Sequence, residues 1–258
     1  MKQKQNSAYT APALEKGLDI LELLSERDTG LTQSEIARAL GRSVGEIFRM
    51  LMVLQDRGYV SQDPLSDRYS LTTFIFEVAH RIPIVGRMTA IAGPAMRELS
   101  GKINQSAHLA ILSEGAVLVV GQTTSPGNNV LSVRLGARID LWRASSGRVI
   151  LAFQPEKEVK RLMKDVPVPP GTSASQILDE LSAIRAAGIE VRDSFVVKGV
   201  VNISAPIIDH SGLAIGALTV PHIERFDETI TFEKCKAEVI VTAVRLSKSL
   251  GGQLPEIN

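Results

Sequence analysis

The chain has 258 residues, 44% of them hydrophobic, enough for one large or two modest domains with ordinary cores. No apolar run approaches the roughly 18 residues that span a bilayer. The polar opening MKQKQNSAYTAP lacks the apolar stretch of a secretory signal, and the single cysteine, Cys235, excludes an internal disulfide and a thiolate metal cluster. These absences favour the cytoplasm. A net charge of +1 says nothing about nucleic acid, and the first eighty residues hold nine Lys/Arg against eleven Asp/Glu. A DNA-binding reading must therefore rest on where charges sit and not on their sum.

The first ten residues read as a disordered arm. Leu14, Leu18, Leu21 and Leu24 then recur at helical spacing and predict a first amphipathic helix that stops before Gly30. In TQSEIARAL, Thr32 and Glu35 form a capping box, because the hydroxyl accepts a helix amide and the carboxylate reaches back to the cap amide. Ile36, Ala37 and Leu40 make that helix's buried face. A third helix starts after the N-cap Ser43, with Ile47, Met50, Leu51 and Leu54 as its core stripe. Tyr59-Val60 and Arg68 to Leu71 read as two strands around SQDPLSD. Three helices and a hairpin predict a winged helix-turn-helix.

Thr73 to Asn104 is helical in pattern, interrupted by Pro83, Gly86 and Pro94, with Pro83 and Gly86 marking a hinge. Beyond it AHLAIL, AVLVVGQ and NVLSVRL are strand-like. Ser146 to Phe153 and Glu156 to Lys164 read as helices, and Ser173 with Gln176 caps another. GIEVRD, VNISAPII and LAIGALTVP return to strand before a terminal helix over Phe226 to Leu250. The expected fold class is α+β: an N-terminal winged helix-turn-helix (10–73), a linker helix (74–86) and a C-terminal α/β effector-binding and oligomerisation domain (87–252) with a mostly antiparallel sheet.

The outer face of the third helix carries Val44, Gly45, Phe48, Arg49 and Met52. The second helix of a helix-turn-helix lies in the major groove, where an arginine can grip guanine O6 and N7. Ser43 begins this helix; Val44 and Phe48 suit a thymine methyl, and Glu46 suits cytosine N4 or repels phosphate. Arg38, Arg42 and Arg68 are placed for phosphates. A helical hairpin that binds protein, with Phe48 tucked under a neighbour, is the competing reading.

In WRASSGRVILAF, Ser145, Ser146 and Gly147 precede a helix whose free amides attract an anion, with Arg143 and Arg148 alongside. An ordinary serine cap with solvated arginines is the plain alternative. Asn202 and Thr219 are polar positions in apolar strands and face either a pocket or the core; Trp142 either lines that pocket or fills core. His108 reads as a half-buried strand residue. No metal, cofactor or catalytic residue is expected, since no two histidines have ligand spacing and no nucleophile–base signature occurs.

With these segments laid out, the chain resembles the IclR-type (isocitrate-lyase-regulator) family of bacterial transcription regulators. The resemblance runs from about Ala13 to Leu250 and is carried by ALEKGLDILELLSE, LTQSEIARALG, RMLMVLQDRGYV, RLGARIDLWRASSGRVILAF, IRAAGIEV, GVVNISAPI and IGALTV. It implies a homodimer or homotetramer on a double-stranded, palindromic operator, with a small metabolite altering operator affinity. It implies effector contacts at Leu131, Ile139, Ser145, Ser146, Asn202 and Thr219. The chain departs from the family pattern at Asp140-Leu141-Trp142, where Pro-Leu-His is common, and at Arg143, where a small residue is usual. Arg143 points to an acidic effector, a sugar or aromatic acid. A protein-interaction module with a ligand-sensing domain, or an enzyme acting on a small acid, are the alternatives.

Overall fold

The computed structural model describes residues 11–80, 83–128, 130–226 and 230–252, without the side chains of 79, 80, 83 and 84. The expected N-terminal arm lies outside the described residues. The chain divides into two compact units, with the division at Pro83/Ile84.

The first unit runs α1 (Pro12–Ser25), β1 (Leu31–Thr32), α2 (Gln33–Leu40), α3 (Val44–Asp56), β2 (Val60–Gln62), β3 (Arg68–Leu71) and α4 (Phe74–His80). Both helices of the central pair start at capping boxes, Thr32 with Glu35 and Ser43 with Glu46. Each box satisfies two amides that a helix start leaves open. β1, too short to show alternation, pairs with β3, so the sheet has order β1-β3-β2 and is antiparallel. Ile20, Leu24, Ile36, Ala37, Ile47, Leu51, Val60 and Tyr69 form the core. The spacing of Leu14 and Leu18 suggested a buried face along the whole of α1, yet they are 63% and 50% exposed. The core packs only against the second half of that helix, from Ile20 onward.

The second unit runs α5 (Pro83–Ile103), β4 (Ala107–Ser113), β5 (Ala116–Thr123), β6 (Arg138–Ile139), α6 (Ser145–Ala152), α7 (Glu156–Asp165), α8 (Ala174–Ala187), β7 (Glu190–Asp193), β8 (Val200–Ile208), β9 (Ala214–Ile223) and α9 (Phe232–Ser249). Its six strands have order β6-β5-β4-β9-β8-β7, and every pairing is antiparallel. One face packs Leu109, Ile203, Ala205, Leu218 and Val220 against α5 and α9, through Met96, Leu99, Val239 and Ala243. The other face carries Ala110, Val117 and Ala217 under α6, α7 and α8.

Three local expectations change. Gly86 and Pro94 interrupt nothing: α5 continues through both, and Pro83 opens it, where proline has no helical amide to lose. The burial of Ala92, Ala95, Met96 and Leu99 outweighs the one hydrogen bond that Pro94 removes. Val130 to Leu135 form no strand, and only the two residues of β6 pair with the edge of β5. The last helix starts at Phe232, six residues later than its pattern suggested, where the Thr231 side chain accepts from the Lys234 amide.

Candidate functional site

The two halves of the expected machinery lie in different units. In the first, Val44, Phe48 and Met52 are exposed along one side of α3, and Phe48 is 46% exposed instead of tucked under a neighbour. Gly45, Ser43, Arg38 and Arg49 are also exposed, and neither arginine forms an ion pair with a described residue. Three other candidates have internal partners. The carboxylate of Glu46 accepts from the Ser43 amide and is paired with Lys16, which holds it down to about 2. Arg42 Nη2 meets Asp19 Oδ2 at 3.1 Å. Arg68 corrects the expectation of a free wing cation: its guanidinium donates to both carboxylate oxygens of Glu35 and to the Gly30 carbonyl. The carboxylate that caps α2 thus draws the Arg68 side chain from β3 onto the helix start. These pairs consume cations and carboxylates alike and leave the unit's acidic excess in place, so the DNA-facing reading rests on the exposed Arg38 and Arg49, unpaired among the described residues.

In the second unit a cavity of about 460 Å³ opens between the sheet and α6. Its floor comes from three neighbouring strands: His108 on β4, Thr219 and Pro221 on β9, and Val200 and Asn202 on β8. The register sets His108 opposite Thr219 and Thr219 opposite Ser204, whose hydroxyl is 2.8 Å from that of Thr219. One wall is the start of α6, with the buried Ser145 and Ser146. The first bond from that helix start runs from the Arg148 amide to the Ala144 carbonyl, and no side chain caps it. The amides of Ser145, Ser146 and Gly147 therefore have no acceptor in the helix. Gly147 permits this tight start, because a Cβ there would come within 2.2 Å of the Leu141 carbonyl oxygen. Leu131, Val133, Ile139, Phe195, Val196 and Val197 supply apolar walls. His108 is buried, its Nδ1 has no hydrogen-bond partner, and burial pushes its pKa down to about 4, so the ring is neutral at pH 7.

Arg143 and Trp142 do not line this cavity. They border a second one, of about 340 Å³, with Arg148, Arg192 and Glu180, and the two cavities share Phe195. Asp140 Oδ1 accepts from the amides of Trp142 and Arg143, each at 2.9 Å, and this turn carries the Arg143 side chain to the outside. Arg148 is no flanking cation either. It is buried, with Nε 2.6 Å from Glu190 Oε1 and Nη2 2.7 Å from Glu180 Oε2.

Residues 78–248 match the family described as bacterial transcriptional regulator IclR C-terminal, and residues 13–64 match the IclR helix-turn-helix domain. The chain belongs to the IclR family. It is a DNA-binding transcriptional regulator with a metabolite-responsive C-terminal domain. Among curated IclR relatives, the regulator KdgR of Escherichia coli is 29% identical over 80% of this chain and 80% of its own length. The glycerol operon regulatory protein of Streptomyces griseus is 29% identical over 95% of this chain and 98% of its own. Among solved structures, the Thermotoga maritima IclR is 25% identical, covering 92% of this chain and 98% of its own, with a TM-score of 0.75. An IclR homologue from Microbacterium hydrocarbonoxydans complexed with 4-hydroxybenzoate has a TM-score of 0.77 at 20% identity, over 92% of this chain and 98% of its own, which speaks for the fold.

Leu131, Ile139, Ser145, Ser146, Asn202 and Thr219, the positions that the IclR resemblance implies, meet in one cavity. His108, Arg134 and the segment Ser194–Val197 also line it and were not foreseen. His108 had a signal, a polar residue on an otherwise apolar strand. Arg134 and Phe195 had none, because irregular backbone brings them there.

Proposed function

We propose that this regulator binds a small carboxylate with a compact apolar body in the cavity of the second unit, and that ligand binding changes its affinity for duplex DNA. One observation carries the reading: the buried Ser145 and Ser146, whose amides have no acceptor in the helix, form a cavity wall, and the one carboxylate in the lining, Asp140, turns its Oδ1 to the Trp142 and Arg143 amides. A helix start favours an anion by about 0.3–1 kcal/mol when exposed and up to ~2 kcal/mol when partly buried. The neutral His108, Asn202 and Thr219 offer hydrogen bonds below, while Leu131, Val133 and Val197 suit an apolar body better than a polyhydroxylated one. Arg138 turns its guanidinium to the Ser113 carbonyl, 3.1 Å away, which leaves Arg134 as the cation at the rim. The relatives are regulators, which supports a binding role for this cavity and not a catalytic one.

On the DNA side, Arg49, Phe48 and Val44 read base edges from α3, Ser43 and Gly45 let the backbone approach, and Arg38 meets phosphate. The working form is a cytoplasmic homo-oligomer, at least a dimer, with residues 74–86 joining the two units. The exposed pair Leu14 and Leu18, one turn apart on α1, supports self-association.

A thermal-shift panel of aromatic and aliphatic monocarboxylates, each beside its carboxamide, tests the ligand class. A ligand at a hundred times its Kd stabilises by about 2.7 kcal/mol. At least one acid should raise Tm while its amide does not; equal shifts for acid and amide would remove the anion from the reading. On DNA, Arg49→Ala should lose about 1–3 kcal/mol of discrimination between sites. It should leave binding to random duplex nearly unchanged in a competition titration at fixed salt. A uniform loss on every duplex would instead make Arg49 a phosphate contact.

A further inference from the structure

Phe195 forms part of the wall between the two cavities of the second unit, and it is the one described residue that lines both. It belongs to a short apolar run, Phe195-Val196-Val197, between β7 and β8, and Val196 is 72% exposed. The Ser194 amide donates to the Val200 carbonyl at 2.8 Å and closes the segment at its base; beyond that, the Ser194 hydroxyl holds the run, accepting from the Val196 and Val197 amides at 3.2 Å each. The segment ends at Gly199, whose φ of +76° is a conformation that other residues rarely adopt. Apolar side chains on a loosely tied segment at a cavity mouth gain burial only when the segment lies against the cavity's contents. The Arg143 guanidinium sits over the Phe195 ring, 4.6 Å from its centre. Arg143 is itself anchored from the other side, through the turn that Asp140 closes before α6.

We infer that Ser194–Val197 is the movable wall of the cavity and that Arg143 latches it shut by its charge on the Phe195 ring. Resting on the proposed ligand site, this makes Arg143 a positioning residue that governs access to the cavity and not the ligand's charge partner. It accounts for an arginine beside the helix start that does not line the cavity.

The latch can be read without any ligand, so its failure is separable from failure of the carboxylate reading, which the acid panel tests alone. Trp142 is the only tryptophan of the chain, is buried, and borders the second cavity with Phe195 and Arg143. Acrylamide quenching of its fluorescence and hydrogen exchange of the Val196 and Val197 amides report opening of the wall. Arg143→Met should raise both about two- to fivefold, the equivalent of ~0.5–1 kcal/mol for an exposed cation on an aromatic face. Arg143→Lys should lie between Arg143→Met and the unaltered protein, since an ammonium keeps part of the attraction. In a Phe195→Leu background, which has no ring to hold, Arg143→Met should add nothing. Unchanged exchange in Arg143→Met overturns the latch. So does an equal increase in quenching with and without Phe195, which would mean that Arg143 only covers the indole.

Discussion

Replacing Arg148 with methionine should destabilise the second unit by about 3–5 kcal/mol, the usual cost of removing one partner from a buried ion pair. Arg148 and Glu190 are both nearly sealed from solvent, and they meet at 2.6 Å. Burial pushes the Glu190 carboxyl above its usual range even though Arg148 and Arg192 pull it down, and its Oε2 is buried without a partner. Without Arg148, the Glu190 carboxylate has lost its strongest partner and takes up a proton instead. An acid held above its unfolded pKa costs stability at neutral pH, and that cost fades as pH falls. The gap between Arg148→Met and the unaltered protein in urea midpoints should therefore narrow from pH 7 to pH 5. Adding Glu190→Gln should recover most of the loss. A deficit below about 1 kcal/mol, or no recovery in the double variant, would show that packing and not charge dominates this site.

Acid should weaken the same unit through His108, whose ring has a folded pKa of about 4 against 6.5 when free. Between those values the unfolded chain binds a proton that the native state refuses, so stability falls as pH falls through that window. Above pH 6.5 the ring is neutral in both states and imposes no such loss. At 1.36 kcal/mol per pKa unit the full effect is about 3 kcal/mol. His108→Gln should flatten this part of the stability curve, as urea midpoints measured from pH 7.5 to 4 would show. Comparing the two proteins at each pH cancels the contribution of the carboxylates that titrate in the same range. Parallel curves would mean that water or an undetected partner solvates the ring.

The elements with complete local signals were legible in the residues. Thr32-x-x-Glu35 and the N-cap Ser43 announce their helices, and the stripe from Ile47 to Leu54 gives the buried side of α3, leaving Phe48 and Arg49 outside; Glu46, expected to face DNA, instead closes a second capping box. What stayed hidden depends on partners far along the chain. β1 is defined by β3, and the exposure of Leu14 and Leu18 by the small size of the core. Spacing shows that Arg148 follows a helix start, but not that Glu190, forty-two residues later, consumes its charge. Arg143 lies two residues before Ser145, yet the Asp140 turn carries its side chain away from the cavity that Ser145 lines. Five of the six positions implied by family resemblance, Ile139, Ser145, Ser146, Asn202 and Thr219, ride on strands and a helix start, where backbone geometry is regular, while Leu131 lies on irregular backbone. Arg134 and the segment at Phe195 ride on loops.

The alternation along β4, β8 and β9 divides responsibilities by parity. His108, Thr219 and Asn202 look toward the cavity, while Leu109, Leu218 and Ile203, one residue away, hold the opposite layer against α5 and α9. Substitutions at cavity positions can therefore retune ligand preference while leaving the opposite layer's packing in place. Deleting or inserting one residue within these strands would exchange the two roles at a stroke, pressing leucines into the ligand's space and a histidine into oil. Drift in ligand choice should proceed here by replacement, with length changes confined to the connections.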